Sequence, residues 1–112
     1  MKIHVRAVNF QISESVDQHA HTRLHAALDR FESRLASVKI RLTDDHGPKH
    51  GTTIHCAIEA ILKNGDSVMV EQDAPDHFAA IDKAAGRMKR TVRRCINRKR
   101  AVRIREARPA FA

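Results

Sequence analysis

Twelve basic residues are packed into the last quarter of the chain, and their chemistry is anion capture. From Lys83 onward, Lys83, Arg87, Lys89, Arg90, Arg93, Arg94, Arg98, Lys99, Arg100, Arg103, Arg105 and Arg108 stand against Glu106 alone, a local net of +11. Residues 1–82 hold nine cations and twelve acids, a net of −3. Fourteen of the 21 cations are Arg, whose planar fork suits bidentate contacts with phosphate. The formal +8 on 112 residues thus describes a mildly acidic body with a strongly basic end. Such asymmetry points to a polyanion, either nucleic acid or an anionic membrane surface.

Helical spacing sorts these cations by side. With 100° per residue and Ile81 at zero, Phe78, Ala84, Ala85, Met88, Val92, Cys95 and Ile96 fall within about 60° of it. Lys83, Arg87, Arg90, Arg94 and Arg98 fall between about 180° and 260°, on the opposite side. No Asp or Glu lies between Asp82 and Glu106, so the stripe has no i,i+4 partners and repels itself unless an anion is bound. On the first helical segment Arg23, Arg30 and Arg34 share one flank, which borders a shared basic groove if the two helices lie side by side. Gly86 costs about 1 kcal/mol in a helix interior and is read as a point of close approach or a tolerated defect.

Other candidate chemistry is weaker. His21 and His25 have the i,i+4 spacing of a two-ligand metal face, but no third ligand is spaced to join them. His46 and His50 only flank a loop. His55 and Cys56 point to opposite faces of a strand and form no dyad. Cys56 and Cys95 lie on apolar faces and read as core residues with free thiols. There is no Gly-rich phosphate loop, nucleophile elbow or paired-carboxylate site, so a binding protein is expected and not an enzyme, with no cofactor and no metal. Phe31 and Phe78 read as core by periodicity, and there is no Trp or Tyr. Base stacking on an aromatic platform is therefore not expected. Binding should run through phosphates and shape.

The elements that position these residues can be read from period. Ile3, Val5 and Ala7 alternate with Lys2, His4 and Arg6, a half-buried strand. Ser13 is an N-cap, with Glu14 and Asp17 in the first turn. Val16, Ala20, Leu24, Ala27, Leu28, Phe31 and Leu35 then predict a helix over about 14–35. Strands follow around Val38–Leu42 and Ile54–Ala60, separated by loop chemistry at 43–51. Asn64-Gly65 marks a type I′ hairpin into a strand begun by Val68 and Val70. Pro75 and the N-cap Asp76 start a last helix, which reaches about residue 100.

The order β-α-β-β-β-α predicts an α+β two-layer sandwich, a four-stranded sheet with both helices on one face. The expected division is one domain over 1–100 and a flexible basic tail over 101–112. No run of about 18 apolar residues is present, so no membrane helix is expected. The alternating start MKIHVRAVNF has no secretory pattern. A cytoplasmic protein is the expectation.

Ile12-Ser13-Glu14, the Asn64-Gly65 hairpin and Asp76-His77-Phe78-Ala79-Ala80-Ile81-Asp82-Lys83 resemble the ribosome hibernation promoting factor and ribosome-associated inhibitor family, also called sigma-54 modulation proteins. Asp76, Phe78, Ala80, Ile81 and Asp82 match the family pattern ahead of its Lys/Arg-rich helix. The resemblance spans about residues 2–100. It implies a fold akin to double-stranded-RNA-binding domains. It also implies binding of the small ribosomal subunit in the mRNA and tRNA channel, with inhibition of translation in stationary phase or stress. By position it assigns ribosomal RNA contacts to Arg23, Arg87, Arg90, Arg94 and Arg98, with Lys83 and Arg100 extending the surface; Arg30 joins the RNA-binding set from its spacing on the groove flank. The length resembles the short form of the family, monomeric off the ribosome, with no membrane or small-molecule partner. The alternative is another RNA- or DNA-binding protein, such as an RNA chaperone or nucleoid-associated protein.

Overall fold

Alternation of apolar and polar residues makes four strands, and the 3.6-residue apolar period makes the helices that cover them. The computed structural model describes residues 1–8, 10–47 and 51–107, without the side chains of residues 45–47, 51–52 and 99–107. The order is β1 (Lys2–Val8), α1 (Glu14–Leu28), a 3-10 helix (Asp29–Arg34), β2 (Leu35–Gly47), β3 (Gly51–Leu62), β4 (Ser67–Ala74) and α2 (His77–Ala107). The sheet runs β1-β2-β3-β4. The α1 crossover makes β1 parallel to β2, while β2/β3 and β3/β4 are antiparallel.

One face of each strand enters a single core. Ile40, Leu42, Ile54 and Ile58 from the sheet are at most 1% exposed and join Leu24, Leu28, Ile81 and Met88 from the helices. Burying each such side chain contributes about 1.5–3 kcal/mol. The expected two-layer α+β architecture is therefore the observed one.

Boundaries differ from the expected ones for physical reasons. α1 stops at Leu28 and the chain tightens into the 3-10 helix. Leu28 and Phe31 are both buried there, and a three-residue turn brings i and i+3 to the same side. The β2 and β3 ladder continues past the expected loop at residue 43, pairing Thr43 with His55 and Asp45 with Thr53. Of the residues read as loop, 48–50 lie outside the described ones.

The Asn64-Gly65 hairpin is present with different turn chemistry. The Gly65 N–H donates to the Leu62 carbonyl at 3.0 Å, which centres the turn on Lys63 and Asn64. Gly65 follows at φ +95°, the left-handed residue of a three-residue loop and not the second centre of a type I′ turn. The Asn64 side chain accepts from the Asp66 N–H at 2.9 Å and locks it. α2 continues through Ala107, past its expected end near residue 100. Past Gly86 no Gly or Pro interrupts it through Ala107. Residues 108–112 of the expected tail lie outside the described ones.

Candidate nucleic-acid interface

Asp76 sets the phase of α2. Its side chain accepts from the Ala79 N–H at 2.8 Å and its carbonyl from the Ala80 N–H at 3.1 Å, a helix N-cap. Ala80, Ile81, Ala84, Ala85, Met88 and Val92 are then sealed against the core, each with no exposure. Turning that stripe inward turns Lys83, Arg87, Arg90, Arg94 and Arg98 outward, and all five are exposed. Among the described residues none of the five makes an ion pair. The crest is a row of cations with no counter-charge of its own.

A cleft lies along each side of the crest. Between the helices, a cleft of about 400 Å³ is lined by Arg23, Ala26 and Ala27 of α1 and Gly86, Lys89, Arg90 and Arg93 of α2. This is the shared basic groove that the spacing of the cations allowed. A Cβ built on Gly86 meets nothing within 4 Å, so the glycine leaves the cleft open and is not there for tight helix packing. On the other side, between α2 and the β4 end of the hairpin, a cleft of about 320 Å³ is lined by Asp66, Ser67, Val68, Thr91, Arg94, Cys95 and Arg98.

The expected site residues thus separate. Arg23 and Arg90 come together in the inter-helix cleft, Arg94 and Arg98 border the other, and Lys83 and Arg87 extend the crest. Arg30 falls in the 3-10 helix and is exposed outside both clefts. Arg34 shares a small depression with Lys63 and Asn64 at the hairpin. The change from α to 3-10 winding breaks the expected Arg23–Arg30–Arg34 row. The backbone of Arg100 is helical, and its side chain lies outside the described ones. Lys89 and Arg93 belong to the basic run but fall off its outward stripe. They lie at about 80° and 120° from Ile81, which becomes a cleft wall only because α1 packs on that side.

Among the described residues Arg23 is the one expected site residue with its own counter-ion. Its Nε lies 2.9 Å from Asp82 Oδ1, and His19 Nε2 lies 2.7 Å from the same oxygen. Phe78 closes the cluster, its ring edge-on to His19 with centroids 5.0 Å apart. Phe78 itself is 43% exposed, not the core residue that periodicity implied. It sits in the first turn of α2 and covers the histidine.

The other chemistry-bearing residues are engaged elsewhere. His21 faces Asp17 at 3.6 Å and His55 faces Asp73 at 2.6 Å. Among the described residues no three His, Cys, Asp or Glu side chains are grouped to hold a metal. His50, and the side chain of His46, lie outside the described ones. Cys56 is fully buried, and burial pushes its thiol up to about 12. Cys95 is half-buried at the wall of the β4-side cleft.

The chain matches the family model described as sigma 54 modulation protein / S30EA ribosomal protein over residues 3–100. No curated protein sequence matches it. Among solved structures it is similar to the N-terminal domain of Thermus thermophilus protein Y, at 28% identity and TM-score 0.70. That match covers 84% of this chain and 98% of the Thermus one. It also shares its fold with a ribosomal subunit interface protein from Coxiella burnetii, at 12% identity and TM-score 0.75, covering 87% of this chain and 99% of that one.

Proposed function

The chain belongs to the sigma 54 modulation protein / S30EA ribosomal protein family, and from that premise we propose that it is a ribosome hibernation factor. In this reading it binds the small ribosomal subunit through ribosomal RNA in the mRNA and tRNA channel. It inhibits translation there in stationary phase or stress. It acts as a cytoplasmic binding protein and not as an enzyme, and it is monomeric off the ribosome. Residues 1–100 form the binding domain, and α2 carries its basic run on through Ala107.

The observation that carries the reading is the crest of α2. Lys83, Arg87, Arg90, Arg94 and Arg98 are exposed without ion pairs among the described residues. An unneutralised row of Arg and Lys displaces counter-ions from a phosphate backbone when it binds. Arg93 and Lys89 extend it into the inter-helix cleft, with Arg23 opposite; Arg30 and Arg100 flank the surface. Phosphate and shape carry the contact in this reading.

Sedimentation of the protein with ribosomes through a low-salt sucrose gradient tests this. The protein is expected with the small subunit and with whole ribosomes. Arg87→Glu with Arg94→Glu should stay at the top of the gradient while remaining folded, since both sites are exposed and each change costs within about 0.5 kcal/mol. If the wild-type chain stays at the top but still retards free RNA or DNA, it is a nucleic-acid binder of another kind.

A further inference from the structure

The face of the sheet turned away from both helices has no part in that reading, yet it is built unevenly. Arg6 of β1 stands directly opposite Arg41 of β2, and His4 opposite Lys39. Like charges at opposed positions of a sheet are destabilising. Among the described residues neither Arg6, Lys39 nor Arg41 makes an ion pair that would offset the repulsion. These cations line a cleft of about 260 Å³ together with Ala57, Met69 and one carboxylate, Glu59. Met69 is 57% exposed, the more exposed of the two large apolar side chains on the described surface. Thus two forked cations and an unbranched, adaptable thioether share one depression.

The neighbouring strands carry the opposite charge. Glu59 of β3 pairs in register with Lys39, and Glu71 of β4 stands opposite Ala57. A nucleic-acid strand laid across this face would leave the cations and meet these carboxylates after one or two phosphates. A short peptide need occupy only the cleft itself, where Arg6, Lys39 and Arg41 outnumber Glu59. One or two of its carboxylates can sit in the forks of Arg6 and Arg41, while an adjacent apolar side chain covers Met69 and Ala57. Alternate residues of an extended peptide are spaced about 6.6 Å apart on one side, which is the spacing of Lys39 and Arg41 along β2.

We propose that the open face of the sheet, at Arg6, Lys39, Arg41 and Met69, docks a short acidic and apolar segment of another protein. The site is separate from the crest of α2, so a domain seated on RNA through its helices still presents it.

The test uses the full chain with its methionine methyls labelled for NMR. Two probes are titrated: a blocked hexapeptide of alternating aspartate and leucine, and hexauridylate. The peptide is expected to shift the Met69 methyl and leave that of buried Met88 in place. Arg6→Gln with Arg41→Gln should weaken peptide binding at least about tenfold, the loss of one or two charge-assisted contacts. The double variant relieves an opposed pair of like charges, so its thermal midpoint should hold or rise, and this separates lost binding from lost fold. Three results overturn the proposal: a Met69 methyl that the peptide does not move, a larger shift with hexauridylate than with peptide, or a shift that depends on protein concentration alone. None of them bears on sedimentation with ribosomes, so this site and the α2 site stand or fall separately.

Discussion

Arg90 and Arg23 face each other across one cleft and are held in opposite electrostatic states. Arg90, on the crest of α2, makes no ion pair among the described residues; Arg23, on α1, lies 2.9 Å from Asp82 Oδ1 beside His19. Both contribute equally to the formal charge of +8. Only one has its charge free for an incoming anion. The difference follows from chain segregation. α2 carries no acid between Asp82 and Glu106, whereas the α1 wall receives its counter-ion from the first turns of α2 itself. Free charge, not total charge, should therefore decide what the two walls contribute to binding.

The largest expected effect breaks the crest. Reversing Arg87 and Arg94 to Glu removes two free cations and adds two repulsions, and ribosome affinity should fall roughly 1000-fold at low salt. The same two reversals at Arg30 and Arg34, off the crest and outside the inter-helix cleft, should cost far less. Equal losses at both pairs, measured by filter binding to purified small subunits, would abolish the distinction between crest and flank.

Salt sharpens the same distinction. Five free crest cations imply a slope of about −4.5 in log affinity against log salt, a loss of roughly 500-fold between about 50 and 200 mM. Arg87→Gln with Arg94→Gln should flatten the slope by about two, while Arg23→Gln should flatten it by less than one. A slope already near zero in the wild-type chain would mean that phosphate contacts are not the main term.

The two cysteines repeat the contrast between interior and cleft. Cys56 is buried in the core and its thiol is raised to about 12 from 9.0 by desolvation; Cys95 is half-buried beside Arg94 and Arg98. The unfolded chain releases the Cys56 proton near pH 9 and the folded chain keeps it to about 12. Any stabilisation from the neutral thiol is thus complete below about pH 9 and is lost as pH rises, at about 1.4 kcal/mol per unit until the folded thiol itself ionises. Denaturant melts at pH 8 and pH 10 should show this slope in the wild-type chain and a smaller one in Cys56→Ala. At pH 8, iodoacetamide should label Cys95 and spare Cys56.

Much of this was legible in the residues, and the failures have a common cause. Period two and period 3.6 gave the strands, both helices and the crest, because each depends only on which side of an element a residue occupies. The caps Ser13 and Asp76 were legible because they bond within three residues of themselves. What was missed depends on neighbours distant in the chain. Lys89 and Arg93 become a cleft wall only when α1 packs beside them. The Arg23–Asp82 contact joins two helices. Phe78 has the angle of a core residue but stays 43% exposed in the first turn of α2. The 3-10 winding that displaces Arg30 and Arg34 is set by the burial of Phe31 under the core, not by local propensity.

The smallest expected effect acts on the contact that separates Arg23 from Arg90. Asp82→Asn keeps the shape of the side chain and removes its charge, so Arg23 should become a free cation like those on the crest. Both side chains are nearly half-exposed, at 43% for Arg23 and 46% for Asp82, so solvent screens the pair and its loss should cost the fold within about 1 kcal/mol. Ribosome binding should tighten by about two- to fivefold, the worth of one further phosphate contact less its ordering cost. The comparison needs a cycle, because Asp82 also holds His19. Arg23→Gln should weaken binding little in the wild-type chain and cancel the gain in the Asp82→Asn chain. If Asp82→Asn instead weakens binding, and Arg23→Gln then adds nothing, the carboxylate presents Arg23 to the RNA. The inter-helix pair would then be part of the binding surface and not a neutralised edge of it.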